Sequence, residues 1–515
     1  MRNLLKNERL KLYKKVSTWV LAGVVVGLAV LMLLIQGGSE LWMVKNMGSS
    51  DGYSWEDNYA DMILSLHNQQ KDAPQDKTLQ LEKEKYEYLL NNSIPPDNWK
   101  SDLVLTYYSV QQTLYDTEQQ LTEQGVTDFT KNAEWNKYAD MAASYKRLMG
   151  ASDWKEYVRL QIEEVQNGHT EFETPEEKQV QIDILNMYLD YNVEPVSTGR
   201  ISVGGNYYYG DSSSMKKSWQ QTELESLKSN KLALLRNELT GDYGDSTLLT
   251  SSDRQKLEDR VALSTERLKT DTAPVESLSL YGLMETSLSS FSLLSIFLIV
   301  LAGGIISSEF GNGTIKLLLI SPHKRRSIFW SKVLILLEIT LIATGAMFVL
   351  SFLLSGVLGG FNGIGSMYMS TLFGSIVRLP YILVILYKYL LFLLPVLAFG
   401  ALALMLSAVT RKTAVATAVS ILMLYGGNLF TTLATMLSSY FIIPGAKFLL
   451  FTNTGLGSYF VSPSGMFGDM SAAMGLGSGL VDNSMTLLFS VAILLVYTVC
   501  FLWIARDSFC RRDVK

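Results

Sequence analysis

Hydrophobic residues are distributed unevenly along the chain, with one long run near the N-terminus and five more after residue 285. A helix needs about 20 apolar residues to cross the hydrocarbon core of a bilayer. The run Val16 to Ile35 meets this length and contains no charge, so residues 16–35 are predicted to form the first span. The later runs predict spans at 286–306, 333–356, 390–409, 414–437 and 484–505. The pattern therefore predicts a mainly α-helical, polytopic membrane protein with six transmembrane helices.

The stretch between the first two spans, residues 36–285, is polar and has apolar residues at spacings of three and four. This spacing is typical of amphipathic helices, so the stretch is expected to form a large, mostly helical domain. A Gly-Gly pair followed by three tyrosines predicts a β-hairpin over Ile201–Gly210. The predicted helices are Thr78–Asn91, Asp97–Gln124, Asp153–Gln166, Pro175–Tyr191, Lys216–Thr240 and Ser252–Lys269.

Charge divides the chain in the same way. Residues 36–285 hold 42 of the 49 acidic residues but only 24 of the 44 basic ones, which gives this stretch a net charge of −18. The other 20 basic and 7 acidic residues give the remainder +13. The only cysteines, Cys500 and Cys510, lie near the C-terminus, so the inserted domain is expected to be held by its own core, without disulfides.

The distribution of Lys and Arg predicts the orientation in the membrane, because short cytoplasmic segments carry an excess of these residues. Basic residues cluster before the first span, between the second and third, between the fourth and fifth, and after the sixth. With six spans these segments fall on one side. We therefore expect a multi-pass protein of the plasma membrane with both termini cytoplasmic, including a C-terminal tail at 506–515, and with residues 36–285 extracellular. Cleavage of the first span as a signal peptide is an alternative, but Gln36 to Glu40 is a poor cleavage site and five spans would break the charge parity.

The first 15 residues are expected to form a cytoplasmic amphipathic helix that runs into the first span. Leu5, Leu12, Val16 and Trp19 share one helical face, whereas lysines occupy the opposite one. Such a helix suits the interface between lipid and water.

The loop 307–327, between the second and third spans, combines glycines, an apolar stretch, a proline and a basic cluster. Gly311 and Gly313 permit a tight turn where the chain leaves the bilayer. Residues 314–320 are long enough for a short helix, which Pro322 would end. The basic cluster, which includes Arg325, is expected to lie at the anionic lipid surface.

This loop resembles that of the ABC-2 type ABC transporter permeases, which carry E-x-x-x-G-T-[IL]-K, then a proline and a basic cluster. Residues 399–412, at the end of the fourth span, and the N-terminal segment also resemble that family. The resemblance implies that the loop docks into an ATPase subunit and transmits force from it. The residues assigned to this ATPase-coupling loop are Glu309, Gly311, Gly313, Thr314, Ile315, Lys316, Pro322 and Arg325.

The resemblance implies the permease subunit of an ATP-binding cassette exporter for amphipathic compounds such as antimicrobial peptides, drugs or lipids. The implied partners are ABC ATPase subunits, which bind ATP and Mg, a second permease copy or homologous half-permease, and the lipid bilayer. The chain has no P-loop sequence, and its three histidines have no metal-ligand spacing. It is therefore expected to be a non-catalytic subunit that itself binds no cofactor, metal or nucleic acid.

Polar residues inside the predicted spans are candidates for function. Glu338 is expected to face a translocation path, to titrate, or to pair with a basic residue near the membrane surface. Asn428 is expected to form a hydrogen bond between helices, and Lys388 to extend its ammonium outward to the membrane surface. Residues 439–483 are too rich in Gly and Ser for a plain hairpin, and are expected to form short external helices of re-entrant type.

Three other functions fit parts of the pattern. The chain could be a sensor of envelope stress or antibiotics that signals through its ATPase without transport. It could also be a membrane-anchored interaction protein, although six spans and the loop pattern would then be surplus. An ion-coupled carrier is a further alternative, but no inverted repeat is evident.

Overall fold

The structure is a computed structural model that divides the chain into two compact units. The membrane unit comprises Met1–Trp42 and Pro274–Lys515, and the polar unit comprises Met43–Ala273. This division is narrower than the predicted 36–285 at both ends. The residues that the structure describes are 2–46, 54–168, 172, 174–197, 200–203, 206–209, 217–240, 246–249, 251–276, 278–311, 313, 324–372, 375–437, 445–460 and 485–511.

The chain begins with two helices that are separated by a short break. α1 is Arg2–Tyr13 and α2 is Val16–Asn46. The indole of Trp19 donates a hydrogen bond to the carbonyl of Tyr13 at 2.8 Å, which ties the start of α2 back to the end of α1. Trp19 is itself exposed. The single amphipathic face predicted to run from α1 into the first span is therefore interrupted.

The polar unit is built from eight helices and two hairpins among its described residues. All six helices predicted in this stretch are present, with ends that shift by a few residues. The largest change is at the helix predicted to reach Thr240, because Asn237 adopts a left-handed conformation, φ +58°, and a strand begins at Glu238. The helices are α3 (Trp55–Asp72), α4 (Lys77–Asn91), α5 (Trp99–Glu123), α6 (Ala133–Met149), α7 (Trp154–Gln166), α8 (Pro175–Asp190), α9 (Trp219–Arg236) and α10 (Ser251–Thr270).

Side-chain caps explain where several of these helices begin. Asp153 caps α7 by accepting a hydrogen bond from the Lys155 amide. Thr174 caps α8, which starts with a proline at a position where the backbone N–H would have no helical partner. α3, which the sequence pattern did not predict, starts with a reciprocal capping box between Ser54 and Asp57.

Apolar faces of neighbouring helices hold the polar unit together. Three clusters of buried residues form its core, centred on Leu103, on Tyr86 and on Leu224. Each of these three side chains is completely buried. Because residues 43–273 contain no cysteine, disulfides cannot stabilise this unit, and the burial of these apolar side chains does so instead.

Two antiparallel hairpins complete the polar unit. β1 (Arg200–Val203) pairs with β2 (Asn206–Tyr209), in the register Arg200 opposite Tyr209, which confirms the predicted hairpin. β3 (Glu238–Thr240) pairs with β4 (Ser246–Leu248).

The rest of the membrane unit consists of long helices joined by short segments. Together with α2, its described residues contain six helices that are long and apolar enough to cross a membrane, as the hydrophobic runs predict. The second is a continuous rod, Leu280–Gly311, formed by two helices on either side of a short 3₁₀ turn, Ser287–Ser290. The helices are α11 (Leu280–Thr286), α12 (Phe291–Gly311), α13 (Arg325–Gly359), α14 (Tyr381–Thr410), α15 (Thr413–Leu437) and α16 (Leu487–Arg511).

α12 and α14 form the centre of the membrane unit. A methyl group added at Gly400 of α14 would lie 2.4 Å from a methyl carbon of Leu298 on α12, so the two helices approach closely where glycine has no side chain. Both helices are largely buried, and many of their side chains are completely enclosed. α13, α15 and α16 pack around this pair.

The helices define two ends of the membrane unit. We call the end that carries α1, Glu309 and Arg325 the N-terminal face. We call the opposite end, which carries α11 and the last residue of α13, the α11 face.

The α11 face is covered by segments that the hydrophobic pattern does not reveal. β5 (Met367–Leu372) and β6 (Ser375–Pro380) form an antiparallel hairpin between α13 and α14. After α15, three short 3₁₀ helices occupy Ala446–Phe448, Phe451–Asn453 and Leu456–Tyr459. These agree with the short helices expected in 439–483, although 438–444 and 461–484 lie outside the described residues.

Candidate functional site

Four charged side chains meet on the N-terminal face, two from α1 and one each from α12 and α13. The Lys332 side chain is only 1% exposed, and its ammonium lies 3.1 Å from Glu8 Oε2 and 3.4 Å from Glu309 Oε1. The Lys11 ammonium lies 2.9 Å from the same Glu309 oxygen and 3.7 Å from Glu8 Oε1. Within this group, two carboxylates therefore face two ammonium groups. We call Glu8, Lys11, Glu309 and Lys332 the N-terminal charge network.

Local helix geometry brings these groups together. Glu8 and Lys11 are three residues apart on α1 and so share one of its faces. Glu309 is in the last turn of α12, whereas Lys332 is about two turns into α13. The network therefore fixes α1 against both helices that flank the loop 307–327.

Burial makes this network energetically sensitive. The side chains of Glu8 and Glu309 are 7% and 9% exposed, so little water remains to solvate their charges. A buried ion pair contributes little net stability compared with apolar residues of the same volume, but removing one partner leaves a buried charge uncompensated and costs about 3–5 kcal/mol. The network is thus better suited to fixing a geometry than to adding stability.

Lys11 lies at the solvent edge of the network. Burial by itself favours its neutral amine, but the hydrogen bond to Glu309 and the charges of Glu8 and Glu309 outweigh burial and raise the Lys11 pKa above its ordinary value of 10.5. A raised pKa means that the folded protein holds this proton more tightly than the unfolded chain does. The stabilisation is complete below pH 10.5 and is lost as the pH rises through the raised pKa.

Glu338 forms a second contact between α1 and α13. The Arg9 guanidinium donates to Glu338 Oε2 from Nε at 2.9 Å and from a terminal nitrogen at 2.8 Å. This hydrogen bond and the Glu338 charge raise the pKa of Arg9. Of the roles considered for Glu338, the structure shows the ion pair with a basic residue.

The other residues of the predicted coupling loop are only partly described. Gly311 is the last residue of α12. Gly313 has φ +69°, and its amide donates to the Phe310 carbonyl at 3.2 Å, so a glycine ends the helix where the chain turns. Arg325 is the first residue of α13, and its guanidinium lies 3.4 Å from the Cys510 carbonyl. Thr314, Ile315, Lys316 and Pro322 lie outside the described residues.

Near the same face, α12 and α14 are joined by polar contacts. The Ser307 amide donates to Ser407 Oγ at 3.0 Å, and that hydroxyl donates to the Gly303 carbonyl at 2.7 Å. The Arg411 guanidinium lies 4.6 Å from the centre of the Phe310 ring. Ser407 and Arg411 belong to the segment 399–412 that the sequence singled out.

A separate buried charge pair lies toward the α11 face. Glu285, on α11, accepts hydrogen bonds at one oxygen from the Lys388 ammonium and from the Tyr381 hydroxyl, both at 2.6 Å. The side chains of Lys388 and Glu285 are 2% and 10% exposed. The prediction that Lys388 extends outward is therefore wrong, because a buried carboxylate on a neighbouring element satisfies its charge within the protein.

Aromatic rings complete the surroundings of Lys388. Its ammonium lies 5.4 Å from the Tyr368 ring centre and 4.9 Å from that of Phe460. These rings come from the β5–β6 hairpin and from the segment that follows α15. The faces of aromatic rings attract cations, so four segments contribute to one buried cationic site.

The remaining intramembrane candidate, Asn428, is exposed on the surface of α15. It is therefore not buried between helices of the described chain, and the expected interhelical hydrogen bond is not found among the described residues.

The polar unit carries an open groove beside its last helices. α8, α9 and α10 line this groove of about 520 Å³, whose wall includes Leu234, Leu235, Lys231 and Arg254. Among the described residues, no group of three or more His, Cys, Asp or Glu side chains is arranged to hold a metal ion.

Sequence patterns predicted Glu309 and Glu338 as candidates but missed their partners. Glu8 is the only acid among the first 15 residues, and Lys332 directly precedes the predicted third span. Glu285 is an acid at the edge of an apolar run. A lone charged residue at the border of an apolar run indicates a possible buried ion pair, but the sequence does not reveal which distant residue is its partner.

The fold and these two charge clusters define a mainly α-helical, polytopic membrane protein. Residues 268–515 match the family model described as "Protein of unknown function (DUF2705)". The chain is 30% identical over 223 residues to the "Uncharacterized membrane protein YdbK" of Bacillus subtilis, an alignment that covers 43% of this chain and 78% of that protein. The chain therefore belongs to the same family as YdbK.

A second relative shows similar likeness. The "Uncharacterized protein YhcI" of Bacillus subtilis is 30% identical over 232 residues, which cover 44% of this chain and 67% of that protein. No solved structure gives a significant match.

Proposed function

We propose that this chain is the membrane-spanning subunit of an ATP-binding cassette exporter, in which separate subunits bind and hydrolyse ATP with Mg. The observation that carries the proposal is the N-terminal charge network, which fixes α1 to both helices flanking the loop 307–327. A loop that receives force from a soluble partner must be anchored rigidly to the spans it moves. Buried ion pairs supply such an anchor, because moving α1 away would separate opposite charges at a site where little water remains to solvate them.

The loop sequence links this anchor to a partner. Residues 309–322 resemble the coupling loop of ABC-2 permeases, and Glu309 belongs both to that pattern and to the network. In the proposed complex the loop docks on the cytoplasmic ATPase, both termini are cytoplasmic, and the polar unit is extracellular. A second permease copy or a homologous half-permease completes the translocation path.

The proposed mechanism is alternating access. ATP binding favours one arrangement of the spans and hydrolysis resets it. The ATPase can shift this equilibrium only by its differential affinity for the two arrangements. The cargo is proposed to be an amphipathic compound such as an antimicrobial peptide, a drug or a lipid, and the resemblance to the family is what supports this class.

The experiment compares two glycine variants in the full chain, co-expressed with the ATP-binding cassette ATPase proposed as its partner and reconstituted in nanodiscs. Gly313→Ala places a side chain at φ +69°, a conformation that costs a non-glycine residue about 1–2 kcal/mol. Gly345→Ala is the control, because Gly345 lies in α13 outside the coupling loop and nothing within 4 Å would meet its new methyl group. We expect Gly313→Ala to reduce permease-stimulated ATP hydrolysis several-fold and Gly345→Ala to leave it unchanged.

Glu309→Gln provides a second arm, because it removes the charge that joins the start of the loop to Lys11 and Lys332. It should also reduce stimulation, while the hydrolysis rate of the ATPase alone stays the same. Failure of the ATPase to co-purify, or equal stimulation in all three variants and the wild type, would contradict the proposal.

A sensor that signals through its ATPase without transport is the second candidate. The groove on the polar unit favours it, because a ligand could bind there between apolar residues and the cations Lys231 and Arg254. The two functions differ in one outcome. A compound that stimulates ATP hydrolysis but does not accumulate in inverted vesicles would support the sensor.

A further inference from the structure

α11 occupies a special position in the chain, because it is the first helix after the polar unit ends at Ala273. It has seven residues, Leu280–Thr286, which is too short for an isolated helix to be stable. Its direction must therefore be set by contacts with neighbouring elements.

The connection from α11 to α12 is the part of the second rod that can bend most easily. Ser287–Ser290 forms a 3₁₀ turn inside the rod, and 3₁₀ geometry in the middle of a helix often marks a hinge. A cavity of about 10 Å³ adjoins this turn, lined by Ser287, Ser290 and Ser351 together with apolar residues of α2 and α13. The space beside the turn is thus about the size of one water molecule.

Three contacts fix α11 and the turn against the rest of the membrane unit. Glu285 pairs with Lys388 at 2.6 Å. The Tyr281 hydroxyl donates to the Ile364 carbonyl at 2.7 Å, and the Ser287 hydroxyl lies 2.6 Å from that of Tyr389. Two of these contacts are made to α14, through its adjacent residues Lys388 and Tyr389.

We propose that Glu285 and Lys388 form a clamp that holds α11 on α14, so that α11 cannot move away from α14 unless this pair separates. Separation is costly because both groups are buried and each would lose its counter-charge. Tyr381, Tyr368 and Phe460 add to the clamp by surrounding the pair with a hydroxyl donor and two ring faces. The clamp is a conformational restraint, and because of it α11 and α14 move together.

Hydrogen–deuterium exchange of the full chain in nanodiscs, without any ATPase, tests the clamp. Local opening exposes amides in proportion to the population of the open state. In Lys388→Met and in Glu285→Gln we expect the amides of 280–290 to exchange about tenfold faster, which corresponds to about 1.4 kcal/mol of lost local stability. Tyr381→Phe removes one hydrogen bond and keeps the ion pair, so its effect should be smaller.

Matched controls separate the clamp from general damage. Tyr387→Phe changes an exposed side chain next to Lys388. Ser289→Ala removes an exposed hydroxyl in the 3₁₀ turn that donates to the nearby Thr286 carbonyl. Both should exchange like the wild type. The charge-swapped double variant, Glu285→Lys with Lys388→Glu, should slow the exchange of the 280–290 amides back toward the wild-type rate.

Where a single variant does not fold, the neutral double variant Glu285→Gln with Lys388→Met leaves no unpaired buried charge and still lacks the ion pair. Faster exchange confined to 280–290 in this variant supports the clamp. Unchanged exchange there, or a uniform increase along the whole chain, overturns it. Because no ATPase is present, the outcome of this experiment does not depend on whether the proposed transport function is correct.

Discussion

At the scale of single residues, several buried charged side chains of the membrane unit each contact two partners. Lys332 forms ion pairs with two carboxylates, those of Glu8 and Glu309, and Glu309 forms ion pairs with two ammonium groups, those of Lys11 and Lys332. On the opposite face, one oxygen of Glu285 accepts from both Lys388 and Tyr381. Shared partners of this kind mean that the loss of one group disturbs several others.

Lys332→Met is the residue-scale prediction. It keeps the length of the side chain but removes the buried ammonium that lies 3.1 Å from Glu8 and 3.4 Å from Glu309, so the free energy of unfolding should fall by about 3–5 kcal/mol. Chemical denaturation of the detergent-solubilised protein measures this change.

The control for this variant is Lys324→Met, which changes an exposed lysine just before α13. Surface substitutions of this type usually change stability by less than about 0.5 kcal/mol. Equal stability of the Lys332 and Lys324 variants would show that the network is not energetically coupled.

At the scale of elements, close backbone contact decides how the helices of the α11 face pack. Gly359, the last residue of α13, lies so near the start of α11 that an added methyl group would be 2.5 Å from the Leu278 carbonyl oxygen. The neighbouring atoms belong to backbone, which cannot rotate away as a side chain can. Only glycine allows this approach, because any other residue would push α11 outward.

Gly359→Ala should therefore destabilise the protein by about 1–3 kcal/mol, the usual cost of forcing extra volume into a packed region. Gly345→Ala in the same helix is the comparison, since nothing lies within 4 Å of its new methyl group, and alanine favours helix by about 1 kcal/mol over glycine. Thermal unfolding followed by circular dichroism distinguishes the two. A Gly345 variant that is as unstable as the Gly359 variant would contradict the packing argument.

At the scale of the whole molecule, two units of opposite charge share one chain. The acidic stretch between the first two spans and the basic flanks of the other spans predict that they face opposite sides of the membrane. The polar unit is held by three apolar clusters, and the membrane unit by the α12–α14 pair with its surrounding helices.

Cysteine accessibility tests this orientation. In a variant with Cys500 and Cys510 replaced by serine, single cysteines are introduced by Ser152→Cys in the polar unit and Lys6→Cys on α1, both at exposed positions. A membrane-impermeant maleimide should label the first in intact cells and the second only after permeabilisation. The reverse pattern would contradict the extracellular placement of residues 36–285 and the proposed function with it.

The sequence by itself determined the class of the fold. Six apolar runs predict the six spans because membrane crossing depends on local length and hydrophobicity, and six of the eight helices of the polar unit follow from apolar spacing and caps. The apolar spacing did not predict α3, α6 or the β5–β6 hairpin.

Tertiary structure alone decided which charges neutralise each other. Glu8 and Lys332 are 324 positions apart, and Glu285 and Lys388 are 103 apart, so no local pattern reports either pair. The same holds for Lys388, which was expected to reach the membrane surface but pairs inside the protein. A buried charge is stable only beside its partner, and the fold, not the neighbouring sequence, sets where that partner lies.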